Sequence, residues 1–345
     1  MAELMAESPG LGIVGSGYMG RTYAACLTRM GTGGRLVAVT GGSRAGALAE
    51  EFGCEVEESL ESLVRRKDVD AVILATPHSA HLPQTTAAAA AGKHVYVEKP
   101  MALNTAECDA MIAACKRARV KLAVNKVLHF REAASAAKKL IDDGAIGDVL
   151  MITARYTYVG SLHPDKPWTM ERSEGAPFLD WGAHCCDLLR WYTRSEPVLA
   201  YARYAGYLEP PYLQTVMAEF AFKSGAMAQV WLSFELPAPG LLPADTYLVV
   251  GSAGMIELET FGKVRLGKGD SWELVAEQPQ FDFINDPMSP KRLKGFAAQV
   301  KDFVEAIAAD RDPIITGEMG RSAVEMVEAA DMSAASGEAV RLPLR

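Results

Sequence analysis

Along the first 125 residues, short β-branched runs alternate with Ala-rich segments whose apolar positions recur at helical spacing. Strands are predicted at 11–14, 35–39, 69–75, 93–97 and 120–124, and helices near 18–30, 44–52, 59–66, 79–91 and 104–118. That rhythm predicts a parallel sheet with helices on both faces. Gly92 is placed to end the fourth helix, and Asn104 with Glu107 three residues on reads as a helix start. Cys108, Met111, Ile112 and Cys115 share one face of the fifth.

After Asn125 the pattern changes. A helical stretch from Phe130 to Asp143 leads through Gly144 and Gly147 into alternating, strand-like runs at 149–159, 215–222, 226–235, 246–250 and 255–260. Glycine turns separate successive runs, which favours antiparallel neighbours. Near the end Phe296, Val300, Phe303, Val304 and Ile307 make one apolar helix face. The expected organisation is α/β: residues 1–125 form an N-terminal domain built on a parallel sheet. Residues 126–345 form an α+β domain whose strands are mostly antiparallel neighbours.

The first predicted strand runs into Gly15-Ser16-Gly17-Tyr18-Met19-Gly20. A G-x-G-x-x-G between a strand and a helix permits a tight turn, close approach of backbone to a pyrophosphate, and close helix–strand packing. The helix start offers its unpaired N–H groups to phosphate oxygens. Gly15, Gly17, Tyr18, Met19 and Gly20 are therefore candidate cofactor residues, and residues 1–125 are expected to be a Rossmann dinucleotide-binding domain. A ribose-binding acid belongs at the end of the second strand in an NAD site, but here the strand runs into Thr40-Gly41-Gly42-Ser43-Arg44. With no carboxylate to repel a 2′-phosphate, Ser43 can donate to it and Arg44 can clamp it. The expectation is NADP in preference to NAD.

The octapeptide Lys93-His94-Val95-Tyr96-Val97-Glu98-Lys99-Pro100 ends a strand abruptly and leaves Lys99 beyond its carboxyl end, where open α/β sheets bind ligands. An ammonium group there can polarise a carbonyl or alcohol oxygen. Further on, Asp180 and His184 stand four apart, on one face of a predicted helix. An imidazole suits proton transfer at neutral pH.

Together these motifs, with Ala75-Thr76-Pro77, His81, Gly92-Lys93-His94-Val95, Gly144-Ala145-Ile146-Gly147-Asp148 and Asp180-Trp181-Gly182-Ala183-His184-Cys185-Cys186-Asp187, resemble the glucose-fructose oxidoreductase / inositol dehydrogenase / rhizopine-catabolism (Gfo/Idh/MocA) family over the whole chain. The resemblance implies an NAD(P)-dependent dehydrogenase or reductase acting on a CH–OH carbon of a sugar, sugar derivative or cyclitol, and it gives residues 126–345 a large, mostly antiparallel mixed sheet that serves substrate binding and oligomerisation. It implies His184 as acid/base, with Lys99 its electrostatic partner and Asp180 orienting; which of His184 and Lys99 is the base stays open. It adds Thr76, Pro77, His81, Glu98, Lys99 and Trp168 beside the cofactor. Lys99, Asn125, Tyr158, His163, Asp180, Trp181 and His184 are the candidates around the substrate. Asp187 matches the last acid of the motif, with helix packing or an ion pair as alternative roles. Within the same resemblance lie two other readings: an NAD-dependent glycosidase using transient oxidation, and a non-catalytic nucleotide-sensing regulator.

Composition narrows the partners. The 35 basic against 43 acidic residues give a net charge of −8, unsuited to a phosphate backbone, so nucleic acid is not expected. No apolar run approaches the ~20 residues of a membrane span. The six cysteines lack metal-ligand spacing, no metal is expected, and a reducing, cytoplasmic setting is. A half-exposed sheet with runs such as Val230-Trp231-Leu232-Ser233-Phe234 calls for a homodimer or homotetramer.

Overall fold

The computed structural model describes residues 8–159, 172–175, 178–206, 215–283 and 285–344. His163 and Trp168 lie outside the described residues. The chain divides into two compact units, Met1–Val127 with Phe281–Arg321, and Leu128–Gln280 with Ser322–Arg345.

In the first unit β1 (Gly10–Val14), β2 (Arg35–Thr40), β3 (Glu55–Glu57), β4 (Ala71–Leu74), β5 (His94–Val97) and β6 (Leu122–Val124) form a six-stranded parallel sheet in the order β3-β2-β1-β4-β5-β6. β1 and β4 are buried at every position, which is why their apolar runs are continuous. The intervening helices are α1 (Tyr18–Arg29), α2 (Ala45–Phe52), α3 (Leu60–Arg65), α4 (His81–Ala90) and α5 (Thr105–Ala118). Gly92 follows α4 at φ 75°, and Asn104 caps α5 by accepting from Glu107 N at 2.9 Å.

The domain division is where the structure departs from expectation. Residues 281–321 return to the first unit instead of continuing the second. The reason is the apolar face seen in the sequence. On α8 (Pro290–Ala308), Leu293, Phe296, Val300, Phe303 and Val304 join the core of Leu11, Ile13, Tyr23 and Leu27. Phe296 meets Tyr23 edge-on at 6.2 Å, and Phe303 meets Tyr96 at 5.6 Å.

In the second unit α6 (Glu132–Asp142), β7 (Val149–Val159), a π-helical turn (Phe178–Gly182), α7 (Ala183–Thr193), β8 (Pro197–Ala205), β9 (Thr215–Phe222), β10 (Met227–Leu236), β11 (Asp245–Gly251), β12 (Met255–Glu259), β13 (Lys263–Lys268), β14 (Ser271–Glu277) and β15 (Val340–Arg341) follow. The sheet runs β14-β13-β12-β11-β7-β10-β9-β8-β15, antiparallel except for the β7–β10 pair. One face, carrying Ile152, Ala154, Tyr156, Val230, Leu232, Tyr247 and Val249, is buried. By strand register, exposed Met151, Met217, Met227, Leu248 and Met255 share the opposite face. Among the described residues, no helix is long and apolar enough to cross a membrane.

Candidate active site

The glycine turn after β1 separates what the fold demands from what it does not. Gly15 has φ 109°, and a Cβ there would lie 2.3 Å from Ala75 O. A Cβ on Gly20 would sit 1.9 Å from Gly15 O. Both are therefore glycine for conformation and packing. Gly17 is different. Its φ of −77° suits any residue, and among the described residues a Cβ there would meet only Arg44 Nη2, at 3.7 Å. Neither strain nor packing explains Gly17, so the space beside it is a cradle that a side chain would fill. α1 carries no acidic residue in its first turn and no side-chain cap, leaving its leading N–H groups for an anion.

The turn after β2 stands beside this cradle. Gly41 and Gly42 are both left-handed, at φ 80° and 79°, and a Cβ on Gly42 would fall 2.6 Å from Ser16 Oγ. Gly15 N donates to Thr40 O at 2.8 Å, and Arg44 N donates to Ser16 Oγ at 3.2 Å, so the two turns are tied through backbone and the Ser16 hydroxyl. Ser16, buried at this junction, carried no signal beyond its place inside the motif. Ser43 and Arg44 are exposed. Arg21 is committed to Glu51 through two hydrogen bonds, whereas the Arg44 guanidinium makes no hydrogen bond or ion pair among the described residues. Tyr18 lies under the Arg292 guanidinium, 4.5 Å from its ring centroid, and the Met19 side chain packs toward the core rather than into the cradle.

After β4, Thr76 Oγ1 donates to Gln84 Oε1 at 2.6 Å, and Pro77 is exposed. His81 has no exposed surface, so its ring serves the interior rather than touching a cofactor. Glu98 is likewise drawn in. One carboxylate oxygen accepts from Tyr23 Oη at 2.5 Å, the other from Lys99 N at 3.0 Å and Asn125 Nδ2 at 2.9 Å. Asn125 is 2 % exposed, and its Oδ1 accepts from Val127 N at 3.1 Å. Its amide is thus spent on Glu98 and backbone, correcting its expected substrate role. The Glu98 carboxylate holds the backbone of the Lys99 turn. Tyr23, distant in sequence, was missed because nothing local marks it. Lys99 itself is half-buried.

In the second unit Asp180 lies in the π-helical turn and His184 in the first turn of α7, so their spacing spans a change of helix type rather than one regular helix. Asp180 is buried and His184 half-buried. The Trp181 ring lies 6.1 Å from His184, 5.6 Å from Tyr158 and 5.9 Å from Phe234. Tyr158 stacks on Phe234 at 5.2 Å and donates its hydroxyl to Asp245 Oδ2 at 2.5 Å. Sequence reading missed Asp245, which opens β11 and lies beside Tyr156 by strand register. Burial pushes its carboxyl up to about 7. Asp187 accepts from His129 Nε2 at 2.8 Å, both groups buried, and His129 stacks on Trp191 at 3.9 Å. That pairing gives Asp187 a structural role.

Comparison with known proteins decides the family. The profile described as "Oxidoreductase family, NAD-binding Rossmann fold" matches residues 10–126, and the GFO/IDH/MocA C-terminal domain matches residues 134–257. This chain belongs to the Gfo/Idh/MocA oxidoreductase family. Among curated relatives, 1,5-anhydro-D-fructose reductase of Ensifer adhaerens is 29% identical over 341 residues, covering 96% of this chain and 98% of that protein. The 2,7-anhydro-N-acetylneuraminate hydratase of Mediterraneibacter gnavus is 34% identical over 191 residues, 55% of this chain, and the match spans only about half of that relative (51%). The aldose-aldose oxidoreductase of Caulobacter crescentus, solved with glycerol, superposes with a TM-score of 0.83 at 27% identity, covering 97% of this chain and all (100%) of that one.

The first unit is accordingly an NAD(P)-binding Rossmann domain. The residues present fit the dinucleotide, since the Gly17 cradle and the open start of α1 meet a pyrophosphate's needs. Gly17→Ala is expected to leave the melting temperature within about a degree, because the methyl meets only a mobile arginine tip. Overlap with the bound nucleotide costs about 1–3 kcal/mol, roughly 5- to 150-fold in NAD(P)H affinity by fluorescence titration. Unchanged affinity would refute the cradle.

Proposed function

We propose that this protein is an NADP(H)-preferring oxidoreductase that interconverts a secondary hydroxyl and a ketone, or an aldose C1 hydroxyl and lactone, on a sugar, sugar derivative or cyclitol. The observation that carries the cofactor choice is the acid-free turn after β2, with the uncommitted Arg44 reaching over Gly17. A 2′-phosphate needs a cation and tolerates no carboxylate, and this turn meets both conditions. Competitive titration with NADH and NADPH tests it. The wild type should bind NADPH more tightly, and Arg44→Ala should weaken NADPH by roughly tenfold or more while moving NADH little. Tighter NADH binding in the wild type would overturn the assignment.

For the chemistry, the bound nicotinamide supplies or accepts the hydride. His184 takes the hydroxyl proton on oxidation, Asp180 orients it, and Lys99 stabilises the developing oxyanion. Trp181 and Tyr158 offer ring faces to sugar C–H groups. Glu98 acts on Lys99 through backbone. The names of the anhydrofructose reductase and the aldose oxidoreductase support a sugar or polyol substrate. We further propose that the exposed apolar face of the second unit's sheet is covered by another copy of the chain.

A second reading is favoured by the hydratase among the relatives. A net redox-neutral reaction can use the same groups if hydride leaves and returns within one turnover, as in the glycosidase alternative. Product formation with tightly held nucleotide and no added cofactor marks that case.

A further inference from the structure

In the first unit the turn after β4 carries Thr76, and the turn after β5 carries Lys99, Pro100 and Met101. Their ladder ends where Leu74 pairs with Val97 and Glu98 N donates to Leu74 O at 3.0 Å. Past that point His81, the first residue of α4, ties them. Its Nε2 lies 3.1 Å from Thr76 O. Its Nδ1 lies 3.0 Å from Pro100 O and 3.2 Å from Met101 O.

All three neighbours are carbonyl oxygens, which only accept. A neutral imidazole has one N–H, so it can donate to one turn while its other nitrogen turns a lone pair toward a carbonyl. An imidazolium would satisfy both sides. Burial, and secondarily the charge of His78, hold its pKa down at about 4, so at neutral pH the ring carries one ring proton. The tautomers are not equivalent. A proton on Nδ1 faces two carbonyls and leaves one acceptor–acceptor contact, whereas a proton on Nε2 faces one and leaves two. The Nδ1–H tautomer is therefore preferred, and its donor is spent on the backbone immediately after Lys99.

We infer that His81 is a positioning residue for Lys99, its Nδ1–H fixing the Pro100–Met101 backbone and with it the direction in which the lysine side chain leaves the sheet. The inference rests on the role proposed for Lys99. A residue that merely filled this space would leave three carbonyls facing a hydrocarbon, a cost the fold avoids.

Three variants separate positioning from packing. Asparagine places an amide N–H near the Nδ1 position, glutamine near Nε2, and leucine neither. His81→Leu and His81→Gln are expected to lower kcat roughly 30- to 100-fold at saturating nucleotide and substrate. The NADPH Kd should move less than about threefold in each. His81→Asn should recover kcat to within about fivefold of wild type. Without substrate, amide exchange across residues 98–104 should accelerate roughly tenfold or more in the leucine variant, with α8 unchanged. Leucine with full kcat, or asparagine no better than leucine, would overturn the inference. Failure of the catalytic reading looks different: Lys99→Met would itself stay active. The exchange measurement then decides alone, and undisturbed protection at 98–104 in the leucine variant would overturn the positioning role.

Discussion

Lys99→Met is expected to lower kcat roughly 10³-fold, the range reached when an electrostatic or proton-handling group is removed from a dry site. Methionine keeps the length and the packing of the aliphatic stem but removes the ammonium. The turn that carries it should survive, because the Glu98 carboxylate, held by Tyr23 and Asn125, accepts from the Lys99 backbone N–H. NADPH affinity by fluorescence titration should stay within a few-fold, and the melting temperature should hold. The loss then belongs to the chemical step. Lys99→Arg should restore only part of the rate, since a planar fork cannot place a point charge where a tetrahedral ammonium sat. A Lys99→Met enzyme retaining a tenth or more of wild-type kcat would remove Lys99 from the reaction.

What could be read in the sequence was what is local. β1 and β4 of the first unit announce themselves because both faces are buried and the runs are wholly apolar. β3 escaped because Glu55-Val56-Glu57 is three residues long, mostly exposed, and made a strand by pairing with β2. β8, β13 and β14 were missed as well. They lie toward the two ends of the large sheet, and β14 in particular is exposed along most of its length. The apolar face of α8 was legible, but not which core would receive it. The site divides the same way. The glycine motif and the missing acid are read within thirty or so residues. The clasp of Tyr23 on Glu98 joins groups 75 apart, and the His129–Asp187 pair joins groups 58 apart. No periodicity encodes such pairs. They follow from register and helix placement.

Asp245 is the other position where a large effect is expected, on stability. Burial raises its carboxyl from an ordinary 3.8 to about 7, with the Tyr158 hydroxyl and Arg155 opposing the shift. Its Oδ1 has no hydrogen-bond partner among the described residues, so an ionised Asp245 carries buried charge on a bare oxygen. The folded state therefore holds a proton that the unfolded chain releases near 3.8. Between that value and about 7 the folded protein loses stability as pH rises, and above 7 the loss is complete. Three pH units correspond to on the order of 4 kcal/mol. Asp245→Asn keeps an oxygen for Tyr158 and cannot ionise. It should melt several degrees above wild type at pH 8–9, the gap narrowing on acidification and closing near pH 4. An unsatisfied amide N–H costs roughly 1–3 kcal/mol, less than the buried charge it replaces, so the sign survives. Melting curves from pH 4 to pH 9 read this directly. A gap that stays constant with pH would mean that Asp245 is ionised throughout, paired by a group other than Tyr158.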